Sequence, residues 1–157
     1  MTKIVLPMII LSFLLSLMLS LLPLSEGLLE LNPSWCLLTL LFWTYHYPHR
    51  VNVGIAGCVG ILVDGLSGSL LGLHVFAYVS VVFLFDLFYR RFHMFHVLQQ
   101  SLVIGILIAC NFVIIISVKH ILTDNLIDWS VMLSVITSML CWPFYCLLGQ
   151  KFHLIRG

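Results

Sequence analysis

Two aspartates and two histidine pairs are the residues whose types and spacing could do chemistry in this sequence: Asp64, Asp86, His46 with His49 in "HYPH", and His93 with His96 in "HMFH". Two carboxylates close enough to share a proton would suit an aspartyl protease. Two H-x-x-H pairs on one side of a membrane could in principle bind zinc. Both ideas depend on how the surrounding elements place these groups, so the elements come next.

Of the 157 residues, 62% are hydrophobic and 8% are charged, against about 25% charged in a soluble domain. This composition predicts an integral membrane protein with room for about six helical spans of roughly 20 residues, organised as one bundle, residues 1–157. Apolar runs place the spans near 4–22, 30–47, 51–66, 70–89, 97–118 and 129–148. They are continuous and leucine-rich, without the alternation of barrel strands, so the fold class is all-α. The first run is too long for a signal peptide and no small-x-small site follows it. With the N-terminus in the cytoplasm, Lys3, Arg50, Arg90, Arg91, Lys151 and Arg156 fall inside and only Lys119 outside. The positive-inside rule therefore predicts both termini to be cytoplasmic. Spans 2 and 3 are short, and residues 51–66 rise only about 24 Å against a core of roughly 30 Å. A re-entrant hairpin is the rival, but it would bury "YPHR" (47–50) in mid-membrane, where an arginine costs roughly 2.5–3.5 kcal/mol. Two short spans with a broken helix end at "GLSGS" (65–69) are the better reading.

This layout removes most of the chemistry. Asp64 lies toward the outer end of span 3 and Asp86 toward the inner end of span 4, separated by roughly 20 Å in depth, so they cannot share a proton. Asp86 stands four residues before Arg90, the spacing of a helical ion pair. Neither H-x-x-H pair has an acid between its histidines, and interfacial histidines explain them better than a metal does. No Ser/His/Asp set, phosphate-binding glycine loop or H-E-x-x-H is present. Cys36, Cys58, Cys110, Cys141 and Cys146 all lie in apolar runs and read as small hydrophobes. The expectation is a non-enzyme without cofactor, metal or nucleic-acid partner.

Asp64 remains. Gly57 and Gly60 precede it by seven and four residues on the same helical face, with Gly54 at the edge, so the carboxylate belongs to a glycine seam that should pack on another helix. A carboxylate within a span is costly and needs a partner. The following "GLSGS" turn offers free backbone N–H groups, and so does the N-terminus of the next helix, so Asp64 is expected either to tie that corner or to serve a function. On this view Asp64→Asn is tolerated and Asp64→Leu is not. In span 1, Ser12, Ser16 and Ser20 repeat a four-residue spacing suited to helix packing or to a partner. Arg50 with His49 is expected to make a cytoplasmic contact or to anchor on lipid phosphate, beyond ordinary positive-inside topology.

The stretch "NPSWCLLTLLFWTYHYPHRVNVGIAGCVGILVDGLSGSLLG" (32–72) resembles the MreD family of rod shape-determining proteins. The resemblance rests on Asn32, Pro33 and Trp35 entering span 2, on Trp43, on Pro48, His49 and Arg50 with Val51, Asn52 and Gly54, and on Gly60, Asp64, Ser67, Gly68 and Gly72. "QQSLV" (99–103) and "WP" (142–143) add to it. It implies a multi-pass bacterial inner-membrane scaffold of the elongation machinery, the elongasome. Such a protein works beside MreC, with MreB filaments, RodA and a class B penicillin-binding transpeptidase in the wider complex of peptidoglycan synthesis. It also implies a bundle similar to the substrate-binding component of energy-coupling-factor transporters. That likeness supports the alternative, a small-solute-binding membrane component with Asp64 and Asn111 lining a pocket, although the spans offer few other polar groups for one.

Overall fold

Among the described residues each apolar run contributes one helix, and the break between the second and third falls at residues that end and start helices. The computed structural model describes residues 2–20, 33–68, 71–92, 94–123 and 130–154, and among these it contains helices and no strand. The helices are α1 (Thr2–Ser20), α2 (Trp35–His46), α3 (Val53–Ser67), α4 (Leu73–Phe92), α5 (Val97–Thr123) and α6 (Ser130–Leu154). They fall on the six expected spans.

Local chemistry sets the boundaries. Tyr47 leaves the helical region at φ −140°, as expected of a residue before a proline, here Pro48. The amides of Arg50 and Val51 donate to the Tyr47 carbonyl at 3.0 and 2.9 Å, which turns the chain back. Asn52 then caps α3, its side chain accepting from Gly54 N–H at 3.1 Å. The C-terminus of α3 is closed by Gly68 in the left-handed region, φ 61°, the conformation in which glycine has no Cβ penalty.

Three antiparallel hairpins, α1–α2, α3–α4 and α5–α6, make the bundle, with α4 packed on α5 and α2 packed on α4 and α6 as well as α1. α2 is the central element: every residue from Cys36 to Thr44 is buried. At 12 residues it rises only about 18 Å. Its shortness, which the sequence left awkward, is that of an inner helix covered by its neighbours.

Polar side chains stitch α2 in place. The Trp43 indole N–H donates to Ser12 Oγ at 2.6 Å, and Ser16 Oγ donates to Cys36 Sγ at 3.7 Å. Two of the three regularly spaced serines of α1 thus bond to α2, while Ser20 is exposed. On the other side Ser138 Oγ accepts from Ser34 N–H at 3.0 Å, and Thr39 shares a 3.2 Å hydrogen bond with Tyr145.

The bundle is apolar on both sides, and its few intramembrane polar side chains are turned inward. Thr39, Asp64, Gln100, Asn111 and Ser138 are buried in a mainly hydrophobic core, whereas Met18, Leu98 and Ile121 are 72%, 82% and 81% exposed. This arrangement suits a hydrocarbon surrounding, in which polar side chains face the bundle interior. Among the described residues, Val97–Ile121 is the one stretch that by itself is long and apolar enough to cross a membrane; Leu6–Ser20, Val53–Ser67, Leu73–Tyr89 and Met132–Leu147 are shorter apolar helices.

Candidate functional site

α3 and α4 approach each other more closely than side chains normally permit. A Cβ on Gly60 would lie 2.5 Å from Val75 Cα and 2.7 Å from Val75 N, so this position admits only glycine without a backbone shift. Gly57 faces α4 too, but a Cβ there would make an ordinary 3.8 Å contact with Val79. One turn beyond Gly60 the seam delivers Asp64, 1% exposed, to the start of α4.

The carboxylate is held by three donors from that start. Oδ2 accepts from Gly72 N–H at 2.8 Å, and Oδ1 accepts from His74 N–H at 3.1 Å and from His74 Nδ1–H at 2.7 Å. The first N–H groups of a helix have no partner within it. Asp64 supplies one from the preceding helix, with a negative charge where the α4 macrodipole favours it. Gly72, at φ 102°, provides the left-handed turn that aims its N–H at the carboxylate. His74 in turn lies edge-on to Tyr78, with ring centroids 5.8 Å apart. The sequence reading did not single out His74. Its signal is a ring donor ten residues after a buried acid, just across a glycine-bounded turn.

The remaining expected residues do not converge on this corner. Ser67 and Gly68 are exposed, Ser67 Oγ donating to the Val63 carbonyl of its own helix at 2.6 Å. Pro48, His49, Arg50 and Asn52 lie at the opposite end of α3, about 18 Å or more from Asp64 along the helix. There His49, Arg50 and Asn52 are exposed and Pro48 is half-buried. Trp35, half-buried, starts α2, at the end far from Pro48.

Among the described residues no group of three His, Cys, Asp or Glu side chains could hold an ion. His46 Nδ1 lies 3.0 Å from the Phe42 carbonyl, its ring against Phe42, and His96 is exposed. The His93 half of the second pair and the Arg90 side chain lie outside the described residues. Asp86 itself is exposed.

Gln100, which entered the sequence analysis only as part of "QQSLV" with no role given to it, is 6% exposed. Its Nε2 donates to the Phe95 carbonyl at 3.1 Å and to the Phe92 carbonyl at 3.4 Å, and its Oε1 accepts from Cys146 Sγ at 3.7 Å. One side chain thereby ties the α4–α5 connection to α6. Gln99 Oε1 accepts from His96 N–H at 3.3 Å at the start of α5. The signal was "QQ" in the first turn of a helix whose next two turns are, but for Ser101, apolar.

Comparison with known proteins agrees with this architecture. The family model described as rod shape-determining protein MreD matches residues 1–152. The Rod shape-determining protein MreD of Haemophilus influenzae is 27% identical over 139 residues, covering 88% of this chain and 86% of that protein. No solved structure matches. A match over nearly the whole chain, together with a helical bundle whose exposed faces are largely apolar, leads to one conclusion: the chain belongs to the MreD family of membrane proteins, which has a role in determining rod cell shape.

Proposed function

We propose that this protein is a multi-pass scaffold of the bacterial inner membrane, with both termini cytoplasmic. It binds the single-span MreC laterally and links MreB filaments to RodA and the class B penicillin-binding transpeptidase. The observation that carries this reading is where the polar groups lie. The Asp64 carboxylate, the Gln100 amide and the Ser12, Ser16, Thr39 and Ser138 hydroxyls are bonded inside the bundle. The outer faces of α1, α3, α4 and α5 offer lipid or a neighbouring helix mostly apolar side chains such as Leu11, Ile61, Phe76 and Ile106. A molecule built this way acts through lateral helix packing and short loops.

Depletion in a rod-shaped host tests the proposal. Rounded, widened cells, together with a photocrosslink from an outer helix face to the single-span partner, support the scaffold. Unchanged rods sink it and favour the solute-binding alternative. One feature speaks for that alternative, the buried Asn111 Oδ1, which has no hydrogen-bond partner. Asp64 speaks against it, since its carboxylate already accepts three bonds from within the chain.

A further inference from the structure

Gln100 fixes the α4–α5 connection, and that connection carries a charge with no internal use. Arg91 is exposed at the end of α4, and Arg50 is exposed in the α2–α3 loop. Neither has an ion-pair partner among the described residues. The helix ends that lead into these two connections are held together: Tyr89 Oη–H of α4 donates to the Tyr45 carbonyl of α2 at 3.2 Å, and Tyr45 packs edge-on against Phe92 with centroids 5.3 Å apart. The Arg91 connection is also preformed. Met94 N–H donates to the Arg91 carbonyl at 3.0 Å, Phe95 N–H to the Phe92 carbonyl at 3.2 Å, and Gln100 clamps the carbonyls of Phe92 and Phe95 from inside.

We propose that Arg50 and Arg91 together form a docking surface for the phosphate headgroup of an anionic phospholipid, with Gln100 as the positioning residue that holds Arg91 in register. The proposal takes its cytoplasmic placement from the orientation proposed above. A guanidinium matches phosphate oxygens with two parallel N–H donors, and two arginines on adjoining loops can take one headgroup between them. Lipid is favoured over an acidic protein because the charge sits directly on apolar surface. Met94 and Leu98, flanking the same loop, are 85% and 82% exposed. That pairing of a basic rim with apolar tips fits the boundary between headgroup and acyl chain.

The test uses the purified full-length chain in a mild detergent. Dioleoylphosphatidylglycerol and dioleoylphosphatidylcholine are titrated in turn, and bound lipid is counted by native mass spectrometry. Phosphatidylglycerol should be preferred. Arg50→Gln and Arg91→Gln should each lower its affinity about fivefold, as expected for about 1 kcal/mol per basic residue near a lipid surface. The double variant should bind both lipids alike, and Lys119→Gln, another exposed cation, should change nothing. Gln100→Leu should weaken phosphatidylglycerol binding with both arginines present. If that variant misfolds, the arginine variants, both at exposed positions, still decide. Equal binding of the two lipids by the wild type, or an Arg50→Gln/Arg91→Gln chain that keeps its preference, overturns the proposal. So does displacement of the lipid by millimolar inorganic phosphate, or binding of polyglutamate in place of lipid. The readout is independent of cell shape: failure to restore cell width sinks the scaffold reading and leaves the lipid count as it stands.

Discussion

Replacing Gly60 by alanine should prise the α3–α4 hairpin apart. The added Cβ meets Val75 Cα at 2.5 Å where ordinary contact begins at 3.4 Å, and the obstacle is backbone, which cannot rotate away. The two helices must therefore separate by about 0.9 Å, an overpacking that typically costs about 1–3 kcal/mol. Asp64 lies one turn further along. The same separation would stretch its 3.1 Å bond from His74 N–H past hydrogen-bonding range, losing a bond to a charged group worth about 1.5–3 kcal/mol. The better helix propensity of alanine returns about 1 kcal/mol. The net expectation is a loss of about 1.5–5 kcal/mol. Gly57→Ala and Gly65→Ala are the controls. The first makes only a 3.8 Å contact with Val79 and the second meets nothing within 4 Å, so each should be neutral or stabilising by up to about 1 kcal/mol. The three variants would be purified in the same detergent, heated in steps, and scored by the fraction that remains monodisperse on gel filtration. If Gly60→Ala melts at or above the wild-type temperature, or if the three variants are indistinguishable, the close approach is not what holds the corner.

Other expectations follow from the same contacts. Asp64→Asn should cost about 1–3 kcal/mol, because an amide oxygen aimed at His74 leaves an NH2 group facing Gly72 N–H. This corrects the expectation from sequence that asparagine is tolerated. Asp64→Leu should cost more and lower the amount of protein in the membrane, so quantitative immunoblots that rank leucine above asparagine would refute the cap. Trp43→Phe and Ser12→Ala should show a coupling of about 0.6–1.7 kcal/mol in a double-mutant cycle; additive effects would mean that the 2.6 Å bond contributes nothing to holding α1. Single cysteines placed at 26–30 in a cysteine-free background should label from outside, and ones at 90–93 only after the membrane is opened. The reverse pattern would invert the proposed orientation.

The Asp64 corner shows how far sequence reasoning reaches here. Helical spacing alone aligns Gly57, Gly60 and Asp64 on one face, and the cost of a carboxylate in a span demands a partner, so an intrahelical seam ending in a tied corner was legible. His74 was not, because nothing in a single sequence states which nearby donor a carboxylate chooses. Gln100 was hidden in another way. Its amide serves the carbonyls of Phe92, at the end of α4, and of Phe95, which come within reach of one side chain only once the chain has turned after α4.

The sequence by itself determined the membrane class, the six helices seen among the described residues and most of their ends; the start of α2 and the ends of α5 and α6 lie five or six residues from the expected bounds. Low charge, continuous apolar runs and residues such as Pro48, Asn52 and Gly68 act locally and need no tertiary information. Only the tertiary structure decided that α2 is the inner helix, buried from Cys36 to Thr44, and that Met18, Leu98 and Ile121 face outward. In water an amphipathic stripe tells the core side of a helix from the solvent side. In hydrocarbon both sides are apolar, so that signal is missing, and inside and outside are chosen instead by close packing at Gly60 and by a few polar bonds between helices.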